Sequence, residues 1–195
     1  MAQDEIKRVF IIGGSSGSFD VLLNLLPHLQ PLDSAAIIIV LHRKNAYDTT
    51  LTDVLSYRTA IEIKEVEEKE TLLPGIIYIA PADYHLLIEK DYTFSLDVSE
   101  RINYSRPSID VSFETAAEAF EQKLIGILLS GSNMDGAKGL QVIKEFGGVT
   151  IVQDPQSAES PFMPQQAIDK GTVDYILKPA EITSFINRTV GSNSK

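Results

Sequence analysis

Hydrophobic and polar positions follow one another along the chain in blocks that predict strands and helices in turn. The apolar run Lys7 to Ile12 ends at two glycines, which is typical of a buried strand. Apolar residues at helical spacing from Phe19 to Leu29, with Ser18 as the cap, predict a helix after it. The next predicted elements are a strand, a helix and a strand, over residues 35–41, 50–57 and 61–65. This order predicts a parallel sheet with helices on its faces.

The middle of the chain has a different pattern. Three short segments separated by turn residues, over residues 75–80, 86–89 and 92–96, predict an antiparallel hairpin or meander inserted near residues 75–97 at one edge of the sheet. Helices and strands then alternate again, over residues 109–120, 124–129, 136–146, 149–153, 164–170, 173–177 and 179–190. We therefore expect an α/β fold with a doubly wound, mostly parallel sheet, and one domain over residues 1–195.

Composition narrows the class of protein. Hydrophobic residues make up 44% of the 195 residues and charged residues 23%, which is typical of a folded domain. The absence of cysteine excludes disulfides and thiolate metal sites and favours the cytoplasm. No apolar run is long enough for membrane insertion. With a net charge of −10 and no basic stripe, a nucleic-acid partner is not expected.

The sequence Gly13-Gly14-Ser15-Ser16-Gly17 fits the pattern G-x-S-x-G, directly between a predicted strand and a predicted helix. Such a turn exposes a nucleophilic serine at the edge of a sheet, and backbone N–H groups at a helix start stabilise an oxyanion. On the motif alone, a loop that binds a phosphate or only turns the chain fits equally well.

A base and an acid are predicted at the same edge of the sheet. The chain has three histidines, His28, His42 and His85, and His42 directly follows the second predicted strand. Because neighbouring parallel strands end at one edge, Ser15 and His42 are expected to share a crevice. Asp135 follows the strand over residues 124–129; read alone it is a helix cap, and paired with His42 it completes a triad.

Several longer segments, in order from Val9 to Ile168, resemble the CheB protein-glutamate methylesterase family. IIGGSSGSFDVL is similar to the segment around that family's nucleophile, VLHR to the strand end with its histidine, and LLSGSNMDGAKGL to the loop with its aspartate. LLPGIIYIAPADYHLLI, SRPSIDVSFETAA and GGVTIVQDPQSAESPFMPQQAI also resemble stretches of the family.

The resemblance implies a role for each residue. Ser15 is the nucleophile, His42 the general base and Asp135 the partner that orients it, while the N–H groups of Ser16 and Ser132 form the oxyanion hole. The implied reaction hydrolyses glutamate methyl esters on the cytoplasmic helices of chemotaxis receptors, with glutamine deamidation as a second activity. No cofactor and no metal are implied.

The matched segments also contain two further candidate residues and three departures from the family pattern. His85 and Arg106 are candidates for substrate contact, although a structural role is favoured for both. Ser18 stands where the family usually has glycine, Arg43-Lys44 where it has Met-Pro, and Ser132 where it has methionine. Only six residues precede the first predicted strand, so the family's receiver domain is not expected in this chain. A separate receiver protein is then a candidate partner.

Two other function classes compete with the esterase. The loop after the first strand is also similar to the nucleotide loop of short-chain dehydrogenases, but no tyrosine here has the Tyr-x-x-x-Lys spacing that such enzymes need. The third class is a relative that kept the fold and acts as a non-catalytic interaction module, because fold alone does not prove activity.

Overall fold

A parallel sheet of seven strands organises the computed structural model, which describes residues 6–43 and 50–192. The strands are β1 (Arg8–Gly14), β2 (Ala35–Leu41), β3 (Glu62–Glu65), β4 (Ile76–Ile79), β5 (His85–Ile88), β6 (Phe94–Asp97), β7 (Leu124–Leu128), β8 (Val149–Gln153) and β9 (Tyr175–Leu177). The helices are α1 (Ser18–Leu25), α2 (Thr50–Ser56), α3 (Ile109–Phe120), α4 (Ala137–Glu145), α5 (Phe162–Asp169) and α6 (Pro179–Gly191).

The order of the strands is β3-β4-β2-β1-β7-β8-β9, so β1 lies at the centre. The chain leaves β1 for β2 on one side and later returns to β7 on the other. Gly13 pairs with Val40 of β2 and with Leu128 of β7, which brings the carboxyl ends of these three strands to one edge. Ligands bind at such a switch point in doubly wound sheets. The prediction of a doubly wound α/β fold is confirmed.

The prediction for residues 75–80 was wrong in its detail. These residues form β4, which lies between β3 and β2 in the main sheet, with Ile77 paired to Ile37 and to Ile63. Ile77, Tyr78 and Ile79 are fully buried. A strand buried on both faces belongs inside a parallel sheet, because its side chains need helices or other elements above and below. Only β5 and β6 form the predicted antiparallel hairpin.

Two apolar layers cover the faces of the sheet. One packs α3, α4, α5 and the hairpin against the sheet, and the other packs α1, α2 and α6 against the opposite face. Strand residues alternate between the layers: Ile11 faces the first and Ile12 the second. Within the described residues, no helix combines the length and apolar character needed to cross a membrane.

The start of α1 differs from the prediction. Gly17, with φ of 80°, is the residue before the helix, and Ser18 is its first residue rather than its cap. The Ser18 hydroxyl donates to the carbonyl of Ser15. The left-handed backbone at Gly17 is accessible to glycine without strain, and it turns the chain sharply from β1 into α1.

Candidate active site

Ser15 follows β1 in the turn that leads to α1. Its N–H donates to the carbonyl of Ser130 at 2.9 Å, and the N–H of Ser18 donates to the carbonyl of Ser15 at 3.1 Å. These bonds fix the backbone of Ser15 between the end of β1 and the segment after β7. Its side chain is half-buried at the carboxyl edge of the sheet, beside the start of α1.

His42 lies next to this turn, because it is the first residue after β2. Its N–H donates to the carbonyl of Gly14 at 3.2 Å. Ser15, Ser16, His42 and Ser132 line one open cavity of about 630 Å³. The parallel register of β1 and β2 thus brings the predicted serine and histidine to one crevice.

Asp135 is completely buried behind His42. Its Oδ2 lies 2.7 Å from Nε2 of His42, and the same oxygen accepts the N–H of Ile109 at 2.7 Å. Its Oδ1 accepts the N–H of Asp110 and the hydroxyl of Ser108, both at 3.0 Å. The carboxylate of Asp135 therefore joins the imidazole to the first residues of α3.

These partners favour the ionised form of Asp135. Burial alone raises the pKa of this carboxyl group, but hydrogen bonds from His42 and from the N–H groups of Asp110 and Ile109 outweigh it, and the pKa is lowered. The position at the first turn of α3 adds the favourable end of the helix dipole. The alternative reading, in which Asp135 only caps the helix after it, does not hold, because its carboxylate binds the start of α3 instead of α4.

Asp110, in the first turn of α3, performs the matching role for α4. Its Oδ1 accepts the N–H groups of Gly136 at 2.9 Å and Gly139 at 2.7 Å. Burial first, and then the charge of Asp135, raise the pKa of Asp110 to about 6, although both N–H groups oppose the shift. The N–H groups at the start of each helix thus donate to an aspartate at or just before the start of the other helix.

Asn103 connects the two aspartates. Its Nδ2 donates to Oδ2 of Asp110 at 3.1 Å and to Oδ1 of Asp135 at 3.2 Å. Asn103 and Tyr104, with φ of 50° and 64°, are the central residues of a tight turn whose ends, Ile102 and Ser105, bond to each other. Tyr104 lines the cavity. Sequence reasoning missed Asn103, Ser108 and Asp110; the pattern Ser-x-Asp at 108–110 is a helix-start signal, but it does not reveal that Asp135 is the acceptor.

Two residues that line the cavity have backbone N–H groups without an acceptor among the described residues. Within residues 6–43 and 50–192, the N–H groups of Ser16 and Ser132 donate to no protein group. Ser16 lies in the turn between β1 and α1, and Ser132 lies in the loop after β7. Both residues line the cavity.

Comparison with known proteins identifies the family of this chain. A family model described as CheB methylesterase matches residues 10–186. The chain belongs to the CheB methylesterase family. A protein of Leptospira interrogans with the provisional name protein-glutamate methylesterase/protein-glutamine glutaminase is 47% identical over 186 residues, covering 95% of this chain and 96% of the relative.

Other CheB-family proteins match to a smaller share of their length. The protein-glutamate methylesterase/protein-glutamine glutaminase of Thermotoga maritima is 33% identical, and the match covers 90% of this chain and 52% of that protein. The crystal structure of the T. maritima CheB methylesterase catalytic domain superposes with a TM-score of 0.87 at 32% identity, covering 93% of this chain and 98% of that one. The nucleotide-binding alternative is not favoured by these matches.

His85 is not among the residues that line the cavity of this CheB-family chain, and its contacts are structural, which is the role that the sequence favoured. It is buried, its Nε2 bonds to the carbonyl of Glu100 at 2.9 Å, and its Nδ1 accepts the N–H of Ser108 at 3.1 Å. Both ring nitrogens are used. His85 thereby fixes the two ends of the segment that contains Asn103 and Tyr104.

Arg106 lines the cavity and also orders the segment around it. Its Nη1 donates to the carbonyls of Val98 and Ser99, both at 2.8 Å. Arg43, which follows His42, also lines the cavity; its Nη2 donates to Glu65 and to the carbonyl of Ala80, both at 2.9 Å. Lys44, the other residue in this departure from the family pattern, lies outside the described residues. Among the residues described, no cluster of three or more His, Asp or Glu side chains is arranged to hold a metal.

Proposed function

We propose that this chain hydrolyses glutamate methyl esters on chemotaxis receptors by serine catalysis, and deamidates glutamine at the same site. The observation that carries the proposal is the 2.7 Å contact between His42 and the buried Asp135, beside a cavity that Ser15 lines. Membership of the CheB methylesterase family and the names of the relatives support the same activity.

The first half of the reaction uses all three side chains. Asp135 engages Nε2 of His42, so Nδ1 is the nitrogen left to accept the proton of the Ser15 hydroxyl. The Ser15 oxygen attacks the ester carbonyl, and the charge on the carbonyl oxygen is stabilised by the N–H groups of Ser16 and Ser132. When the intermediate collapses, the C–O bond breaks and His42 gives its proton to the departing methanol.

The second half regenerates the serine. A water molecule gives a proton to His42 and attacks the glutamyl–serine ester, and collapse returns a proton to Ser15 and leaves glutamate. With a glutamine substrate the leaving group is ammonia and the remaining steps are the same. Asp135 stays ionised throughout and stabilises the imidazolium form of His42.

The proposed partner is the cytoplasmic helical region of methylated chemotaxis receptors. Arg43, Arg101 and Arg106 line the cavity, and Glu65 pairs with Arg43 and Asp83 with Arg101. We propose that these guanidinium groups contact an acidic receptor segment. A receiver protein that acts as a separate partner, and a cytoplasmic location, are further expectations from the family resemblance and the composition.

Replacement of the nucleophile tests the function. Ser15→Ala should abolish methanol release from a methylated receptor fragment, because the Ser15 oxygen forms the acyl-enzyme in the proposed mechanism. Labelling by a fluorophosphonate probe should be lost in the same variant. Circular dichroism checks that the protein stays folded.

Ser184→Ala is the matched control, since Ser184 is exposed on α6 and does not line the cavity. It should retain full turnover and labelling. Turnover by folded Ser15→Ala at the wild-type rate would refute the mechanism. A wild-type protein that neither labels nor releases methanol would favour the non-catalytic interaction module.

A further inference from the structure

A second pocket lies directly beside the Ser15 cavity. It has a volume of about 440 Å³, and Ser132, Glu159, Ser160, Pro161, Phe162 and Gln165 line it. Ser132 lines both this pocket and the Ser15 cavity. The two are therefore neighbours, separated by the same loop whose N–H is assigned to the oxyanion hole.

Phe162, the first residue of α5, leaves 48% of its surface exposed at this pocket. A single exposed aromatic residue on a protein surface is ordinary. Phe162 differs because it lines, with Pro161, a pocket that shares Ser132 with the Ser15 cavity. The next residue, Met163, is fully buried, so the helix start that presents Phe162 is anchored in the core.

Hydrogen bonds fix the position of the second pocket relative to Ser15. The N–H of Gly131 donates to the carbonyl of Ser160 at 3.0 Å, and the N–H of Met163 donates to the carbonyl of Gly131 at 2.9 Å. The Ser130 hydroxyl accepts the N–H of Ser160 at 2.9 Å and donates to the carbonyl of Ser16 at 2.6 Å. The loop after β1, the loop after β7 and the start of α5 thus form one bonded unit.

We propose that this second pocket binds a large apolar side chain of the substrate protein, one helical turn from the glutamate methyl ester that enters the Ser15 cavity. The inference rests on the proposed function. Because Ser132 lines both cavities, two substrate side chains that enter them on either side of this residue start close to each other. Positions four apart on a helix satisfy this, with their Cβ atoms roughly 5–6 Å from each other. Phe162 would contact the apolar side chain, and the substrate specificity would depend on it.

Two synthetic peptides test the proposal. Each is about 20 residues long, enough to form a helix in water when rich in alanine, and contains one glutamate γ-methyl ester. The first has leucine four positions before and four positions after the ester, and the second has serine at both. We expect kcat/KM for methanol release to be about five- to tenfold higher for the leucine peptide, because a Leu side chain is partly removed from water.

The preference should disappear in Phe162→Ala and persist in Phe146→Ala. Phe146 is a matched control because it is 40% exposed and follows the far end of α4, away from the carboxyl edge of the sheet. Turnover of p-nitrophenyl acetate, which is too small to reach the second pocket, should be equal in the three proteins. Equal kcat/KM for both peptides with wild type, or a preference that survives Phe162→Ala, would overturn the proposal.

Binding to Ser15→Ala separates this proposal from the proposed function. Fluorescently labelled forms of both peptides are titrated with Ser15→Ala and with Ser15→Ala/Phe162→Ala. The pocket would be supported and the esterase refuted by one set of results. In it, Ser15→Ala binds the leucine peptide more tightly than the serine peptide, Ser15→Ala/Phe162→Ala binds both equally, and wild type hydrolyses neither. Hydrolysis of both peptides without a binding preference would support the esterase and refute the pocket.

Discussion

At the scale of single residues, the hydrogen-bond donors around the Asp135 carboxylate keep it ionised and fix its orientation. Five donors surround it, from Asn103, His42, Ser108, Ile109 and Asp110. A buried carboxylate is tolerated when its oxygens are hydrogen-bonded in this way. The same donors prevent Asp135 from rotating, so its Oδ2 presents a fixed acceptor to His42. The fixed acceptor selects the imidazole tautomer with hydrogen on Nε2.

Asp135→Asn should lower kcat on the order of 10⁴-fold, by analogy with the serine-protease triad. If the new amide donates to Nε2 of His42, the hydrogen of the imidazole moves to Nδ1, and Nδ1 can no longer accept the Ser15 proton. Steady-state methanol release measures the loss, and near-ultraviolet circular dichroism checks the fold. A decrease of less than tenfold would mean that Asp135 only anchors α3.

At the scale of elements, α3 and α4 depend on each other. Asp110 in α3 binds the start of α4, and Asp135, just before α4, binds the start of α3. The helices also pack closely, since a Cβ placed on Gly139 would lie 2.5 Å from Cβ of Phe113 and 3.2 Å from Cα of Asp110. The position of Asp135 is therefore set by how closely the two helices approach.

Gly139→Ala tests this packing. Alanine in a helix interior is favoured over glycine by about 1 kcal/mol, so a loosely packed site would become more stable. We expect a net loss of stability instead, of about 1–3 kcal/mol, because the new methyl group forces α3 and α4 apart. Urea unfolding measures it, and kcat should fall as Asp135 shifts.

Gly191→Ala is the control for this substitution. Gly191 ends α6, and the nearest atom to an added Cβ is the Gln30 side-chain oxygen at 3.9 Å. The free energy of unfolding of Gly191→Ala should stay within about a few tenths of a kcal/mol of the wild-type value or increase. Unchanged or increased stability of Gly139→Ala would show that the helices can separate without cost.

At the scale of the whole molecule, two buried aspartates at the starts of α3 and α4 couple global stability to pH. Asp110 is almost fully buried and its pKa is raised to about 6. The neutral form of Asp110 therefore stabilises the fold below its unfolded pKa of about 3.8, and this contribution is lost as pH rises through about 6. Asp135, with a lowered pKa, acts in the opposite sense: its contribution is present above the unfolded value and is lost at lower pH.

Asp110→Asn should remove the first contribution. Between about pH 4.5 and about pH 7, the free energy of unfolding of wild type should fall by about 2 kcal/mol relative to Asp110→Asn, which does not titrate there. Denaturant titrations at several pH values measure this difference. Glu118→Gln, a substitution at an exposed position on the same helix, is the control and should follow wild type. Parallel pH curves for wild type and Asp110→Asn would contradict the assignment.

Local patterns in the sequence were sufficient to predict most elements and the region of the site. The buried runs at β1, β2 and β7 are continuous because helices cover both faces of a parallel sheet, and such runs are visible without a structure. The same patterns place Ser15, His42 and Asp135 just after strand ends. The longer matched segments identified the family, because several ordered matches are far more specific than G-x-S-x-G alone.

Tertiary structure decided which groups those residues meet. A short apolar segment such as β4 has the same local pattern in a hairpin and in a parallel sheet, and only its burial between β3 and β2 distinguishes them. Likewise, an aspartate before a helix is a local cap by default, and Asp135 binds α3 only because the fold brings that helix start to it. Strand and helix formation depends on neighbours in the sequence, whereas hydrogen-bond partners such as Asn103 depend on packing between distant segments, which the sequence by itself does not reveal.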